Sequence, residues 1–219
     1  MILNNSAHVL GAIRGIQEAE KPDEVMRIFT PYVERYGFAH IHLGQLVNPA
    51  NIAKKDILSI STWPGELMSQ RAEKYDLLHD PVALGALRSK RPFRWQKAME
   101  WATRRGQRVI DQTRDFGIRD GYVFPVHSID SVSGAVSLGG DQLDLSRTEL
   151  AEVELVSLAA YARLETLLGP FPYQKIEDLT AREAEVIQFA AAGKTNRDIA
   201  TILSIQPDTV NKTILRAAL

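Results

Sequence analysis

Residues 179–210, LTAREAEVIQFAAAGKTNRDIATILSIQPDTV, constrain the fold more than any other part of the chain. Thr180 followed three residues on by Glu183 is a capping box, so a helix is predicted to begin at Ala181. Val186, Ile187 and Ala190 recur at helical spacing and give that helix one apolar side. Gly193 ends it, because glycine takes the left-handed conformation without strain. Thr195 then caps a second helix, with Asp198 near its positive end. Ile199, Ile202 and Leu203 supply the apolar face of that second helix. Ser204 and Ile205 form a short turn, and Pro207 suits the first position of a third helix, where its missing N–H is unpaired anyway. Two short helices joined by a tight turn, the second amphipathic, make a helix-turn-helix.

A small bundle used for protein contacts is the plainer reading, and charge helps to weigh it. From Lys194 onward Lys194, Arg197, Lys212 and Arg216 outnumber Asp198 and Asp208, a net of +2. The segment from Ile176 to Gly193 sets Arg182 against Glu177, Asp178, Glu183 and Glu185, a net of −3. Cations gather on the half that would face phosphates.

Upstream, Ser146 with Glu149 makes another capping box, and Leu150, Val153, Val156, Ala160, Leu164, Leu167 and Leu168 keep helical spacing. Gly169, Pro170, Phe171 and Pro172 cannot continue that helix. The expected organisation is a domain over 1–168, a linker over 169–175 and a helix-turn-helix domain over 176–219. In the first domain, DEVMRIFTPYVERYGF has Val25, Ile28, Phe29, Val33 and Tyr36 on one helical face, with Pro31 a local irregularity. HIHLGQLV alternates Ile41, Leu43 and Gln45 against His40, His42 and Gly44, a strand. DILSIST reads as a second strand with Leu58 and Ile60 inward. Residues 64–76, 81–89 and 103–117 read as helices, and 122–129 with 133–140 as paired strands. Strands near both ends with helices between them predict an α+β fold: an α/β/α sandwich on a central antiparallel sheet, followed by a small all-α domain.

Composition sets limits. At 219 residues and 45% hydrophobic, the chain has enough apolar material for a real core. It contains no cysteine, which removes disulfides and cysteine-based metal sites. MILNNSAHVLGAIRGIQEAEK lacks the pattern of a signal peptide, and no apolar run approaches the roughly 18 residues of a membrane span. The expectation is a cytoplasmic protein with no membrane partner. A net charge of −1 means that nucleic-acid binding rests on a local patch. G-x-S-x-G, Gly-rich phosphate-loop and H-E-x-x-H motifs are absent, so no enzyme is expected and no catalytic or metal residue is assigned. His40 and His42 share one side of a strand, but without further spaced ligands they read as surface or core residues. Arg88, Lys90, Arg91 and Arg94 in RSKRPFRW read as a solvated loop beside Trp95.

Residues 179–210 resemble the DNA-binding domain of the LuxR family of transcription regulators. Glu183, Ile187, Gly193, Lys194, Thr195, Asn196, Ile199, Ala200, Leu203, Thr209 and Val210 stand in that pattern's register without a gap. WPGELMSQRAEKYDLLHDPV, PFRW and DFGIRDGYVFPV resemble the autoinducer-binding domain of the same family. The resemblance implies a pocket between the sheet and one helical layer that holds an N-acyl homoserine lactone or another small acyl signal. No other cofactor is implied. An aspartate followed by proline binds the acyl amide N–H, and here that is Asp80 before Pro81; a buried carboxylate suits such a donor. The same pair is also a good helix start. Trp95 matches the pocket tryptophan, Gly121 a characteristic glycine, and Ser137 a small hydroxyl residue on the last strand.

The sequence departs from the family where the ligand would be gripped. The tryptophan thirteen residues before the aspartate is Leu67 here, and the tyrosine nine before it is Arg71. Leucine has no donor for a lactone carbonyl. Trp63, one turn earlier, can donate in its place. Arg71 puts a permanent cation at the pocket wall, costly unless it is paired or turned to solvent; it can also recruit a ligand carboxylate. Three outcomes stay open: a different signal, weak lactone binding, or none.

In the third helix Asn211, Lys212, Leu215 and Arg216 occupy the DNA-facing register, joined by Lys194, Thr195 and Asn196. Asn211 can read adenine, and Lys212 and Arg216 can reach phosphate or guanine. The resemblance implies a dimer on double-stranded DNA, ligand-responsive or ligand-independent. It also implies a fourth helix, which this sequence lacks, so poor specific DNA binding is expected of it. The alternative is a truncated interaction protein that forms a heterodimer with an intact relative and inhibits it.

Overall fold

A computed structural model describes residues 2–46, 59–73, 79–127, 134–168 and 180–218. The chain divides into two compact units, Met1–Pro172 and Tyr173–Leu219. The expected linker at 169–175 lies outside the described residues.

The first unit is a three-layer α/β/α sandwich. Its five-stranded sheet has the order β2-β1-β5-β4-β3 and is antiparallel throughout: β1 Phe38–Gln45, β2 Ser59–Ser61, β3 Phe93–Arg94, β4 Asp120–Val126 and β5 Gly134–Gly140. Every residue of the central strand β5 is buried, as expected of a strand covered on both faces. One face is closed by α1 Ile2–Glu18, α2 Pro22–Glu34 and α7 Arg147–Leu168, which bury Ile16, Phe29, Val33, Val156 and Leu164 against Ile41, Leu43, Val136 and Leu138. The other is closed by α3 Gly65–Glu73, α4 Pro81–Arg88, α5 Trp95–Ala98, a 3-10 turn Met99–Trp101, and α6 Arg104–Arg114. Pro22 opens α2 with Asp23 and Glu24 in its first turn, and the helix runs on through Pro31 because Tyr32 and Val33 are buried just beyond it.

Some boundaries differ from the sequence reading. The helix expected over 64–76 is described only from Gly65 to Glu73, and the strand expected to 129 is described to Val126. Leu58 lies outside the described residues, and Ile60 is half-buried. The helix α1 and the two-residue strand β3 are additions.

In the second unit, α8 Ala181–Ala191 opens with the Thr180–Glu183 capping box: Glu183 N–H donates to Thr180 Oγ1 at 3.3 Å, and Thr180 N–H to Glu183 Oε2 at 2.9 Å. Helix α9, Asn196–Leu203, opens with a matching box between Thr195 and Asp198. Gly193 has φ 78°, and a non-glycine is also left-handed: Ser204 closes α9 at φ 54°. Helix α10 spans Pro207–Ala218. Val186, Ile199, Ala200, Leu203 and Val210 form the core. Ile202 is not part of it. It is 49% exposed, and Ala200 takes the inward position.

Candidate functional site

The strand β1 decides which side chains reach the α3–α6 layer. Ile41 and Leu43 point to α1, α2 and α7, so His42 points the other way, in cross-strand register with Ser137, which in turn pairs with Val123. Thr62 ties β2 onward to this strand: its hydroxyl accepts from Ile41 N–H at 2.8 Å and its own N–H donates to Ile41 O at 2.8 Å. The next residue, Trp63, is thereby delivered over His42, ring centroids 6.0 Å apart. Leu67 and Arg71 follow on α3 at a four-residue spacing, so both face inward, and both are buried.

Trp95 enters from the opposite edge. Two residues of β3 pair with β4 and end at the start of α5, which places the buried indole against the sheet. It lies on a bed made by the cross-strand pair Gly121 and Gly139. A Cβ on Gly121 would overlap the indole and stand 2.5 Å from Leu138 O. A Cβ on Gly139 would stand 2.6 Å from Ile118 Cγ2. Only glycine fits at either place. Trp95 and Trp63 meet at 5.7 Å between centroids.

Asp80 caps α4. Its Oδ1 accepts from Val82 N–H at 2.8 Å and from Ala83 N–H at 3.3 Å, and Pro81 fills the first helical position. Gly106 lets α6 approach this turn, since a Cβ there would meet His79 O at 2.7 Å. The other carboxylate oxygen accepts from Arg71 Nη1 at 3.2 Å, and Arg71 Nη2 donates to Val109 O at 3.2 Å. The guanidinium also lies 4.8 Å above the Trp63 ring, a cation–π contact. Of the two sequence alternatives for Arg71, pairing holds: the side chain is buried with its counter-ion, which offsets much of the cost of removing both charges from water. His42 is neutral at ordinary pH, its pKa pushed down to about 4 by burial and by the Arg71 guanidinium, against a smaller opposing pull from Asp80.

Hydrogen bonding is lopsided here. Trp63 Nε1, Trp95 Nε1, Arg71 Nε and His42 Nδ1 are buried without a hydrogen-bond partner among the described residues. The structure thus brings Trp63, Leu67, Arg71 and Trp95 into one layer with Asp80 and Ser137. Sequence reasoning missed His42 and Gly139. The alternation of β1 against Ser137 would have placed the first, and the Gly139–Gly140 pair inside a strand was the signal for the second. An open groove of about 360 Å³ between α1 and α2, lined by Gly11, Ala12, Ile28, Pro31, Tyr32 and Arg35, lies on the other side of the sheet. Among the described residues no group of three potential metal ligands occurs, and no helix is long and apolar enough to cross a membrane.

On the second unit, Lys194, Thr195, Asn196, Asn211 and Lys212 are exposed. The Thr195 hydroxyl donates to Asp198 Oδ2 at 2.7 Å, so Thr195 is engaged as a helix cap. Asn196 Nδ2 approaches Asn211 Oδ1 at 3.5 Å, and Lys212 pairs with Asp208 at 2.8 Å. The side chains of Leu215 and Arg216 lie outside the described residues.

A sandwich domain carried on one chain with a helix-turn-helix is the build of a DNA-binding regulator. The comparisons agree. The autoinducer binding domain family matches residues 21–164, and the bacterial regulatory proteins of the luxR family match 177–215. Transcriptional activator protein BjaR1 of Bradyrhizobium diazoefficiens is 31% identical over 212 residues, which cover 95% of this chain and 86% of that one. The quorum sensing-dependent regulator RpaR of Rhodopseudomonas palustris is 31% identical over 94% of this chain and 84% of its own. In structure, Escherichia coli SdiA is similar, with a TM-score of 0.63 at 21% identity over 94% of this chain and 86% of that one. The chain belongs to the LuxR family of quorum-sensing, DNA-binding transcription regulators, a family of regulators and not of enzymes.

Proposed function

We propose that this protein is a signal-responsive regulator that binds double-stranded DNA as a dimer and senses a small molecule in the layer formed by Trp63, Leu67, Arg71, Asp80, Trp95, Ser137 and His42. The observation that carries the reading is the coincidence of two features: the autoinducer-domain match over 21–164, and a buried polar cluster inside that same segment. Structural cores ordinarily satisfy their polar groups. A core that leaves indole and guanidinium donors unmet, beside a charged pair, is built for a guest. DNA contact is assigned to the exposed Lys194, Asn196, Asn211 and Lys212, with Leu215 and Arg216 continuing the same register of α10. Dimerisation is supported by Leu10 on α1 and by Leu155 and Leu168 on α7, large apolar side chains left exposed on two helices that pack together.

The test is a selection of duplex DNA from a random pool by the purified chain, followed by titration of the winning site. Lys212→Ala should weaken binding to all sequences and lower the salt slope by about 1. Asn211→Ala should relax one base position by about 1–3 kcal/mol. Absence of binding to duplex DNA of any sequence, even at low salt, would remove the reading.

A further inference from the structure

The Arg71–Asp80 pair determines what chemistry the site accepts. Asp80 is committed at both oxygens: Oδ1 to the cap of α4 and Oδ2 to Arg71. A guest that needs this carboxylate to accept its N–H must compete with a buried arginine. Arg71 is in the opposite condition. It receives only one oxygen of a carboxylate whose other oxygen is spent on backbone N–H groups, and its Nε–H meets no acceptor. Two further donors, the indole N–H groups of Trp63 and Trp95, are buried and unmet in the same aromatic cluster. These three groups can only donate. Among the described residues the unmet groups of this cluster are these three donors and one ring nitrogen of the neutral His42, which donates or accepts according to its tautomer, so donors are in excess.

Resting on the reading of this cluster as the signal site, we infer that its ligand presents a carboxylate on a small apolar body, held by Arg71 with the Trp63 and Trp95 indole N–H groups as further donors. A carboxylate is the acceptor that answers a guanidinium most strongly, through charge-assisted hydrogen bonds. The two indole rings flank the apolar part. Leu67, fully buried on the same face of α3 as Arg71, keeps that part out of water. An amide N–H must share Asp80 Oδ2 with Arg71, because Oδ1 already accepts two backbone N–H groups.

The test uses the full purified chain and titrates phenylacetate, trans-cinnamate, octanoate, the methyl ester of each, and N-hexanoyl homoserine lactone, read by thermal shift and by tryptophan fluorescence. At least one carboxylate should bind, its methyl ester at least tenfold more weakly. Arg71→Met should abolish the response. Arg71→Lys keeps a cation beside Asp80 but loses the Nε–H, and should weaken binding at least tenfold in a folded protein. Trp63→Phe, which keeps a ring and removes the N–H, should weaken it about fivefold. A carboxylate that binds Arg71→Lys as well as it binds the unaltered chain overturns the inference. A response to the lactone alone, lost in Asp80→Asn, overturns the inference while the signal-site reading stands. No response to any probe overturns both.

Discussion

On one face of the sheet, α1, α2 and α7 bury Phe29, Val33, Val156 and Leu164 against Ile41, Leu43 and Val136; on the other, α3 to α6 bury Trp63, Arg71, Asp80 and Trp95 against His42 and Ser137. The same strands serve both layers, residue by residue in alternation, yet the two closures differ in kind. The first is mainly apolar packing with polar groups at its margin, where Tyr36 Oη donates to Glu152 at 2.9 Å and Arg163 Nε donates to Ala19 O at 2.8 Å. Burial raises the pKa of the Tyr161 phenol, which keeps that hydroxyl neutral. The second confines an ion pair and a neutral imidazole among indoles. A layer of the first kind is held by area and shape. A layer of the second kind is held by the mutual satisfaction of a few groups, so it responds sharply when one is removed and can be adjusted by a guest.

The largest effect should come from Arg71→Met. It leaves the Asp80 charge without its partner, and unfolding in urea, followed by tryptophan fluorescence, should show a loss of about 3–5 kcal/mol. Combining it with Asp80→Asn should recover part of that loss. A single-variant midpoint equal to the unaltered chain's would erase the distinction between the layers. Leu164→Ala, on the apolar side, should cost about 2–5 kcal/mol through the cavity it opens. That loss should be the same at pH 5 and pH 8, and a strong pH dependence would show that the charged groups of α7, such as Glu152 bonded to Tyr36, are coupled to the packing at Leu164.

Acid should find the polar layer first. The unfolded chain protonates His42 near 6.5, whereas the folded chain resists until about 4. The stabilisation is therefore complete above pH 6.5 and declines as the pH falls toward 4, by about 3 kcal/mol at most. His42→Gln should flatten the difference between pH 7 and pH 4.5 measured in urea; an unchanged slope would mean that His42 already carries its proton in the fold. The smallest effect is a reference from the second unit. Glu183→Ala breaks the capping box at α8 and should cost about 1 kcal/mol of local stability, seen as faster proteolysis there. The tryptophans, all in the first unit, should report no change.

Legibility in the sequence divides along the same line. Thr180, Glu183 and Thr195 could be read because capping is local: the side chain and the N–H it satisfies are three residues apart. The antiparallel sheet followed from alternation along β1 and from strands near both ends of the domain with helices between them. Ile202 was misjudged because helical spacing gives a face but not which neighbour lies against it, and Ala200 packs inward instead. Helix α1 has Val9 and Ile16 buried but two glycines and few charges at its caps, so it carries no start or stop signal. At the site, Arg71 and Asp80 were individually conspicuous. Their pairing depends on how α3 and α4 approach, which no single segment encodes. His42 was visible only as half of a weak metal motif, and its role emerges from a cross-strand register that joins residues 95 positions apart.

On its sheet side Trp95 rests on the main chain of two glycines, and this gives it mechanical significance. A side chain under load relieves itself by changing rotamer; Gly121 and Gly139 have none to change, so any tilt of the indole is borne by the β4–β5 ladder itself. The residue before it, Arg94, is ion-paired with Asp120 at the head of β4 and donates to Leu143 O at 3.2 Å, four residues before α7 begins. The indole and the approach to the longest helix in the protein are thus linked through one guanidinium.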